Sequence, residues 1–206
     1  MADPAPPWAP VVVAMTGATG ALYGIRLLEA LRTLGVESHL IVSRWAETTI
    51  KTETSRSLEE IRSLAAVVHE EDDLAARPAR PDFATAGMVV APCSMRTLAA
   101  VAHGLDDNLI QRAAAVHLAE ARPLVLLVRE TPLSVVHLEN MLAAARAGAV
   151  IAPPLAAFYA RLESLDDMVD HTVGRALDHL GIEHRLIRRW GEPRGGDGDP
   201  QAGTAR

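Results

Sequence analysis

Residues 11–24, VVVAMTGATGALYG, carry five apolar residues directly into Gly17, Gly20 and Gly24 and then into a helix-like stretch. A strand that ends in a glycine turn and continues as a helix is the opening unit of a layered α/β fold. Its backbone N–H groups, gathered at a helix start, suit an anionic ligand. The same alternation recurs downstream. Apolar runs predict strands at Val11–Met15, Ser38–Val42, Met88–Pro92, Leu124–Val128 and Ala149–Ala152. Helical periodicity predicts helices at Ala21–Leu34, Arg44–Glu53, Leu58–Ala65, Met95–Ala102, Asn108–Glu120, Val135–Ala147 and Leu165–Leu180. Strands that are apolar throughout, separated by helices, belong to a parallel sheet covered on both faces. The expected fold class is therefore α/β: a doubly wound, Rossmann/flavodoxin-like parallel sheet with helices on both faces. Aromatic residues make up only 3% of the chain, so its core must be built from Ala, Leu, Val and Ile.

Such sheets bind ligands beyond the carboxyl ends of their strands. Those ends read Thr16–Gly20, Ser43–Arg44, Cys93–Ser94, Arg129–Glu130 and Pro153–Pro154, and four of the five offer polar or backbone donors. The Pro/Gly-rich ends, residues 1–10 and 191–206, are expected to be flexible, leaving one domain over residues 11–190.

Composition narrows the partners. The net charge is −6 and the basic residues are scattered, which argues against nucleic acid. No apolar stretch approaches the roughly 20 residues of a membrane span. The opening MADPAPPWAP has neither the basic nor the apolar region of a secretory signal. Cys93, the single cysteine, excludes an intramolecular disulfide framework and fits a reducing compartment. A cytoplasmic protein is expected.

TGATGALYG is similar to the glycine turn of short-chain dehydrogenases, and Arg44 is placed to meet an NADP 2′-phosphate. The third glycine, however, falls one position late. Lys51, the sole lysine, also lacks the Tyr-x-x-x-Lys partner of those enzymes, having Glu47 four residues before it.

Longer segments are more specific. MVVAPCSMRTLAAVAHG (88–104), PLVLLVRETPLSVVHLENML (123–142) and AVIAPPLAAFYARLESLDDMVDHTVGRALDHLGI (149–182) follow the glycine turn in order. With these motifs the chain resembles the UbiX-type flavin prenyltransferases, including the small subunits associated with hydroxyarylic acid decarboxylases, over about residues 11–190. The resemblance implies binding of reduced FMN and transfer of a dimethylallyl group from dimethylallyl phosphate. New bonds at flavin N5 and C6 would yield the prenylated cofactor of UbiD-type decarboxylases. It also implies independence of metal and a homo-oligomer, typically a dodecamer.

By matching motif, the resemblance places Gly17, Thr19, Gly20, Ser43 and Ser94 on the FMN, mostly at its phosphate, and Arg129 against the ring. Taken alone, Ser43 and Ser94 also read as helix N-caps. Glu53 and Glu130 match two carboxylates that handle protons, chemistry that the loss of an allylic phosphate and ring closure both need. Glu53 by itself also reads as a solvated helix-end charge. Arg112, Tyr159 and Arg175 match the holders of the prenyl phosphate, where arginine forks suit a dianion, and Trp190 matches an aromatic near the allylic chain. Cys93 reads as a small buried residue rather than a nucleophile.

Two departures fall on the prenyl-phosphate side. Ala119 in HLAEARP stands where the family carries a lysine, and AARPARPDFAT (75–85) replaces an SGS-containing segment, with Leu74 near an expected aromatic. One lost charge-assisted contact costs about 1.5–3 kcal/mol. Either Arg77, Arg80, Arg122 or Arg161 compensates, or the chain is an FMN-binding relative with altered substrate or chemistry. A relation to flavin-dependent peptidyl-cysteine decarboxylases would need a catalytic histidine before MVVAPCS. His69 is the candidate there, and it also reads as the cap of a short edge.

Overall fold

The computed structural model describes residues 8–160 and 162–187. Arg161, Trp190 and the C-terminal tail (191–206) lie outside the described residues, as do residues 1–7 of the N-terminal segment.

Six parallel strands form one sheet: β1 (Val11–Met15), β2 (Ser38–Val42), β3 (Val67–His69), β4 (Gly87–Cys93), β5 (Leu124–Val128) and β6 (Val150–Ile151). Their order is β3-β2-β1-β4-β5-β6, the Rossmann arrangement, with the winding reversed between β1 and β4. β1 pairs in full register with β2 from Val11↔Ser38 to Met15↔Val42, and with β4 from Val11↔Gly87 to Ala14↔Val90. Every residue of β1, β2, β4 and β5 is buried, as continuous apolar runs demand when helices cover both faces.

The period of two splits these side chains between two cores. On one face Val11, Val13, Met15, Leu40, Val89 and Leu127 pack with α1 (Ala21–Thr33), α2 (Arg44–Glu53), α3 (Leu58–Arg62) and α7 (Leu165–His179). On the other, Val12, Ala14, Ile41, Val90 and Leu126 pack with α4 (Met95–Ala102), α5 (Leu109–Ala119) and α6 (Val135–Arg146). Five strands and seven helices match the sequence expectation.

β3 is an addition. It is three half-buried residues at the sheet edge, too short to show a period of its own. α3 stops at Arg62 rather than Ala65, because the chain turns there to enter β3.

The segment replacing the SGS motif is fastened at the amino ends of the strands. It holds a short 3-10 turn at Arg77–Ala79. Arg77 lies over the Phe83 ring, 4.3 Å from its centroid, and Phe83 packs on His39 near the start of β2. Arg122, just before β5, donates to the Phe83 carbonyl at 2.8 Å and to that of Pro81. Arg80 pairs with Asp82 through two nitrogens. The Ala86 N–H, just before β4, meets the Pro10 carbonyl before β1. The arginines offered as compensation within the chain, Arg77, Arg80 and Arg122, are thus committed at the end of the sheet away from its ligand-binding edge.

Candidate active site at the switch point

The winding reverses between β1 and β4, and in such sheets the crevice outside these carboxyl ends, where the connections leave in opposite directions, is the ligand site. Thr16 ties its two sides together. Its Oγ1 donates to the Pro92 carbonyl at 2.7 Å and accepts the Ser94 N–H at 2.8 Å. On the β1 side the turn Gly17–Gly20 leads into α1. Gly20 is the N-cap, at φ 106° and ψ 34°, a left-handed conformation open to glycine. That geometry aims the N–H groups of Gly20 and Ala21 at one point, and the carboxylate of Glu53 occupies it. Glu53 Oε2 accepts from both at 2.9 Å.

The expectation for Glu53 is therefore sharpened. It is not a loose charge at the end of α2 but an anion held on the positive end of α1. Gly20, read from sequence as a phosphate contact, spends its N–H on this carboxylate. The N–H groups of Ala18 and Thr19 have no partner among the described residues, nor does the Thr19 hydroxyl. They form the open part of the turn, with Gly17 backed against Trp45.

Ser43 and Ser94 are both N-caps. Ser43 Oγ accepts from the Ala46 N–H at 3.2 Å, and Ser94 Oγ from that of Thr97 at 3.3 Å. Capping uses a lone pair and leaves the Ser43 hydroxyl proton to donate, so the two roles are compatible there; Ser94 Oγ also bonds the Thr97 hydroxyl at 3.1 Å, and its own proton is free when Thr97 is the donor. Both serines stand at strand ends that border the turn. Cys93, which ends β4 just before Ser94, is fully buried, and burial pushes its thiol up to about 12. It is a core residue with no thiolate chemistry near neutral pH.

Arg129 and Glu130 follow β5, one strand beyond β4, so the β1 and β5 ends stand about 10 Å apart. The Arg129 N–H bonds the Cys93 carbonyl at 3.1 Å, and its exposed side chain is free of partners among the described residues. Glu130 Oε1 accepts the N–H of Thr131 at 2.9 Å, which folds the carboxylate back over the turn before Pro132. Open N–H groups, two serine hydroxyls and an arginine around one crevice fit a phosphate ester that carries an extended ring.

The remaining residues stand apart from this crevice. Arg112, exposed on α5, pairs with Asp106 at 3.3 Å. Arg175, exposed on α7, pairs with Asp178 at 2.9 Å. Tyr159, in the short turn Phe158–Ala160, bonds His171 of α7 at 3.2 Å. α5 and α7 cover opposite faces, so within one chain the sheet separates Arg112 from Tyr159 and Arg175. Besides Thr16, which stands among the strand ends read from sequence, two rim residues carry no reading that singles them out: Tyr23 and Trp45. The signal available for these two was their rarity, since a chain 3% aromatic places one in the first turn of α1 and one at the head of α2.

The flavoprotein family model matches residues 7–177. A probable UbiX-like flavin prenyltransferase from Bacillus subtilis (strain 168) is 53% identical over 87% of this chain and 88% of its own length. A crystal structure of AnUbiX in complex with FMN and dimethylallyl pyrophosphate is 51% identical. It covers 91% of this chain and 100% of its own, with a TM-score of 0.88. A dodecameric FMN-dependent UbiX-like decarboxylase from Escherichia coli O157:H7 is 50% identical, with a TM-score of 0.86, and covers 89% of this chain and 100% of its own. With a glycine turn, two capping serines and an arginine converging on one switch-point crevice, and with relatives of this closeness along nearly the whole chain, the protein belongs to the flavoprotein family, among its UbiX-like flavin prenyltransferases.

Proposed function

We propose that this protein joins a dimethylallyl group, donated as a phosphate ester, to reduced FMN without a metal, making prenylated FMN for a UbiD-type decarboxylase. The supporting observation is the switch-point crevice. It offers the donors that a flavin phosphate and ring require, on a chain 51% identical to one crystallised with both FMN and dimethylallyl pyrophosphate.

Ala18, Thr19, Ser43 and Ser94 would hold the FMN phosphate, and Arg129 the ring. When bound, reduced flavin supplies the nucleophilic N5 and C6. Glu53, the last residue of α2 and held by the head of α1, and Glu130, which follows β5, would move protons. Arg112, Tyr159 and Arg175 would grip the donor phosphate from different copies of the chain, because the sheet keeps Arg112 from the other two in any one copy. Trp190 would line the allylic chain. Ala119, at the last position of α5, leaves this grip one cation short, so weaker donor affinity is expected than in relatives with a lysine there.

The test is the mass of flavin extracted after anaerobic incubation with reduced FMN and dimethylallyl phosphate or diphosphate. Gain of one C5H8 unit supports the proposal and identifies the donor. Unmodified FMN from both incubations, with an active relative as control, overturns prenyl transfer and leaves an FMN-binding protein of other chemistry.

A further inference from the structure

We infer that Tyr23 is a ligand-contacting residue of the crevice, its phenol donating a hydrogen bond to the same edge of the flavin ring that Arg129 holds. The inference rests on the FMN reading above.

Tyr23 sits in the first turn of α1 and is only 7% exposed. Its ring packs beneath the glycine turn, where a Cβ on Gly20 would stand 2.8 Å from ring Cδ2. The same Cβ would lie 3.9 Å from Pro92, so the ring is at the β1–β4 divide itself. From the far side of that divide the charge of Arg129 reaches the Tyr23 hydroxyl. The strand alternation agrees. Leu127 of β5 points to the α1 face, and Arg129, two residues on, follows the same side.

A buried phenol normally finds a hydrogen-bond partner. Among the described residues the Tyr23 hydroxyl has none, and the Arg129 guanidinium has none either. The hydroxyl is not fully enclosed: among the described residues Arg62 Nε is the fully enclosed polar side-chain atom without a partner. A neutral donor and a cation, from the two sides of the divide, thus lie within electrostatic reach of each other with their hydrogen-bonding capacity unused. That pair fits the carbonyl-bearing, electron-rich pyrimidine edge of a reduced flavin better than a phosphate, which the open N–H groups of Ala18 and Thr19 in the turn already serve. Burial raises the phenol's pKa and Arg129 pulls it back only in part, so the group remains a donor at neutral pH.

Tyr23→Phe keeps the ring under Gly20 and removes only the donor. FMN affinity, read by quenching of flavin fluorescence, should fall about threefold to tenfold in this variant, the range of one hydrogen bond, with its thermal midpoint unchanged. A second readout needs no mutant. The chain has two tyrosines, Tyr23 and Tyr159, so fluorotyrosine-labelled protein gives two fluorine resonances. Adding FMN should shift the one absent from labelled Tyr23→Phe. If wild type binds FMN while Tyr23→Phe has the same Kd and the Tyr23 resonance stays put, the inference falls alone. If wild type does not bind FMN, the FMN reading falls and takes the inference with it.

Discussion

At Glu53 a single carboxylate oxygen receives both N–H groups that head α1, fixing the side chain at the crevice while its other oxygen has no partner among the described residues. Glutamine can keep that acceptor but not the charge. Glu53→Gln should therefore leave FMN affinity nearly unchanged and slow prenyl transfer by about 10²–10⁴-fold, as expected for loss of a proton-transfer group. Single-turnover kinetics with pre-bound reduced FMN would check it. Glu130→Gln, whose carbonyl can still accept from Thr131, should behave alike. Cys93 makes the opposite case. With its thiol pushed up to about 12 by burial, it stays protonated well above neutral pH. Iodoacetamide should leave the native chain unlabelled and label it only in denaturant. Rapid labelling of the folded protein would contradict the buried placement.

Helix α1 approaches the sheet so closely at Gly24 that a Cβ there would stand 2.8 Å from Met15 Cγ and run into the Ala91 carbonyl. Gly24→Ala must push the helix outward at the head of the crevice. A loss of about 1–3 kcal/mol in urea unfolding is expected, accompanied by weaker FMN binding because Gly20 and Tyr23 move with α1. The segment 75–85 depends on titrating groups instead. His117 is fully buried. Its Nδ1 donates to the Ala113 carbonyl at 2.7 Å, which leaves Nε2 to accept from the Thr85 hydroxyl at 2.8 Å. Burial lowers the pKa of His117, and burial with neighbouring charge lowers those of His69 and His171. Each binds a proton more readily unfolded than folded. Stability is thus fully present above the unfolded value of about 6.5 and is lost as pH falls below it. Urea midpoints should drop between about pH 7.5 and pH 5.5, and the slope should be shallower in His117→Gln.

Across the whole molecule, exposed Leu133, Val135, Val136, Leu138 and Leu142 give α6 and its approach an apolar outer face. Leu155 and Phe158 are exposed as well. An apolar surface on this scale is what an interface between copies would bury, and the donor grip proposed for Arg112, Tyr159 and Arg175 would require such an interface. Sedimentation should show an assembly that Val136→Glu with Leu142→Glu disrupts, prenyl transfer falling with it. Mixed assemblies of Glu53→Gln and Arg112→Ala chains should regain activity that neither variant has alone. Among the described residues no helix is long and apolar enough to cross a membrane. The sequence by itself determined the layered parallel sheet, because uninterrupted apolar strands can be buried only between two layers of helices. It also determined which residues end those strands, and so Ser43, Ser94, Arg129 and Glu130 were legible as a group. Only the tertiary structure decided that Glu53 reaches back to cap α1, that Tyr23 lies under Gly20, and that Arg77, Arg80 and Arg122 serve the far end of the sheet. β3, three residues long, became a strand only because β2 offered it an edge. Local periodicity records which side of an element is apolar, whereas these placements depend on strand order and helix rotation, which pairing and packing between distant segments establish.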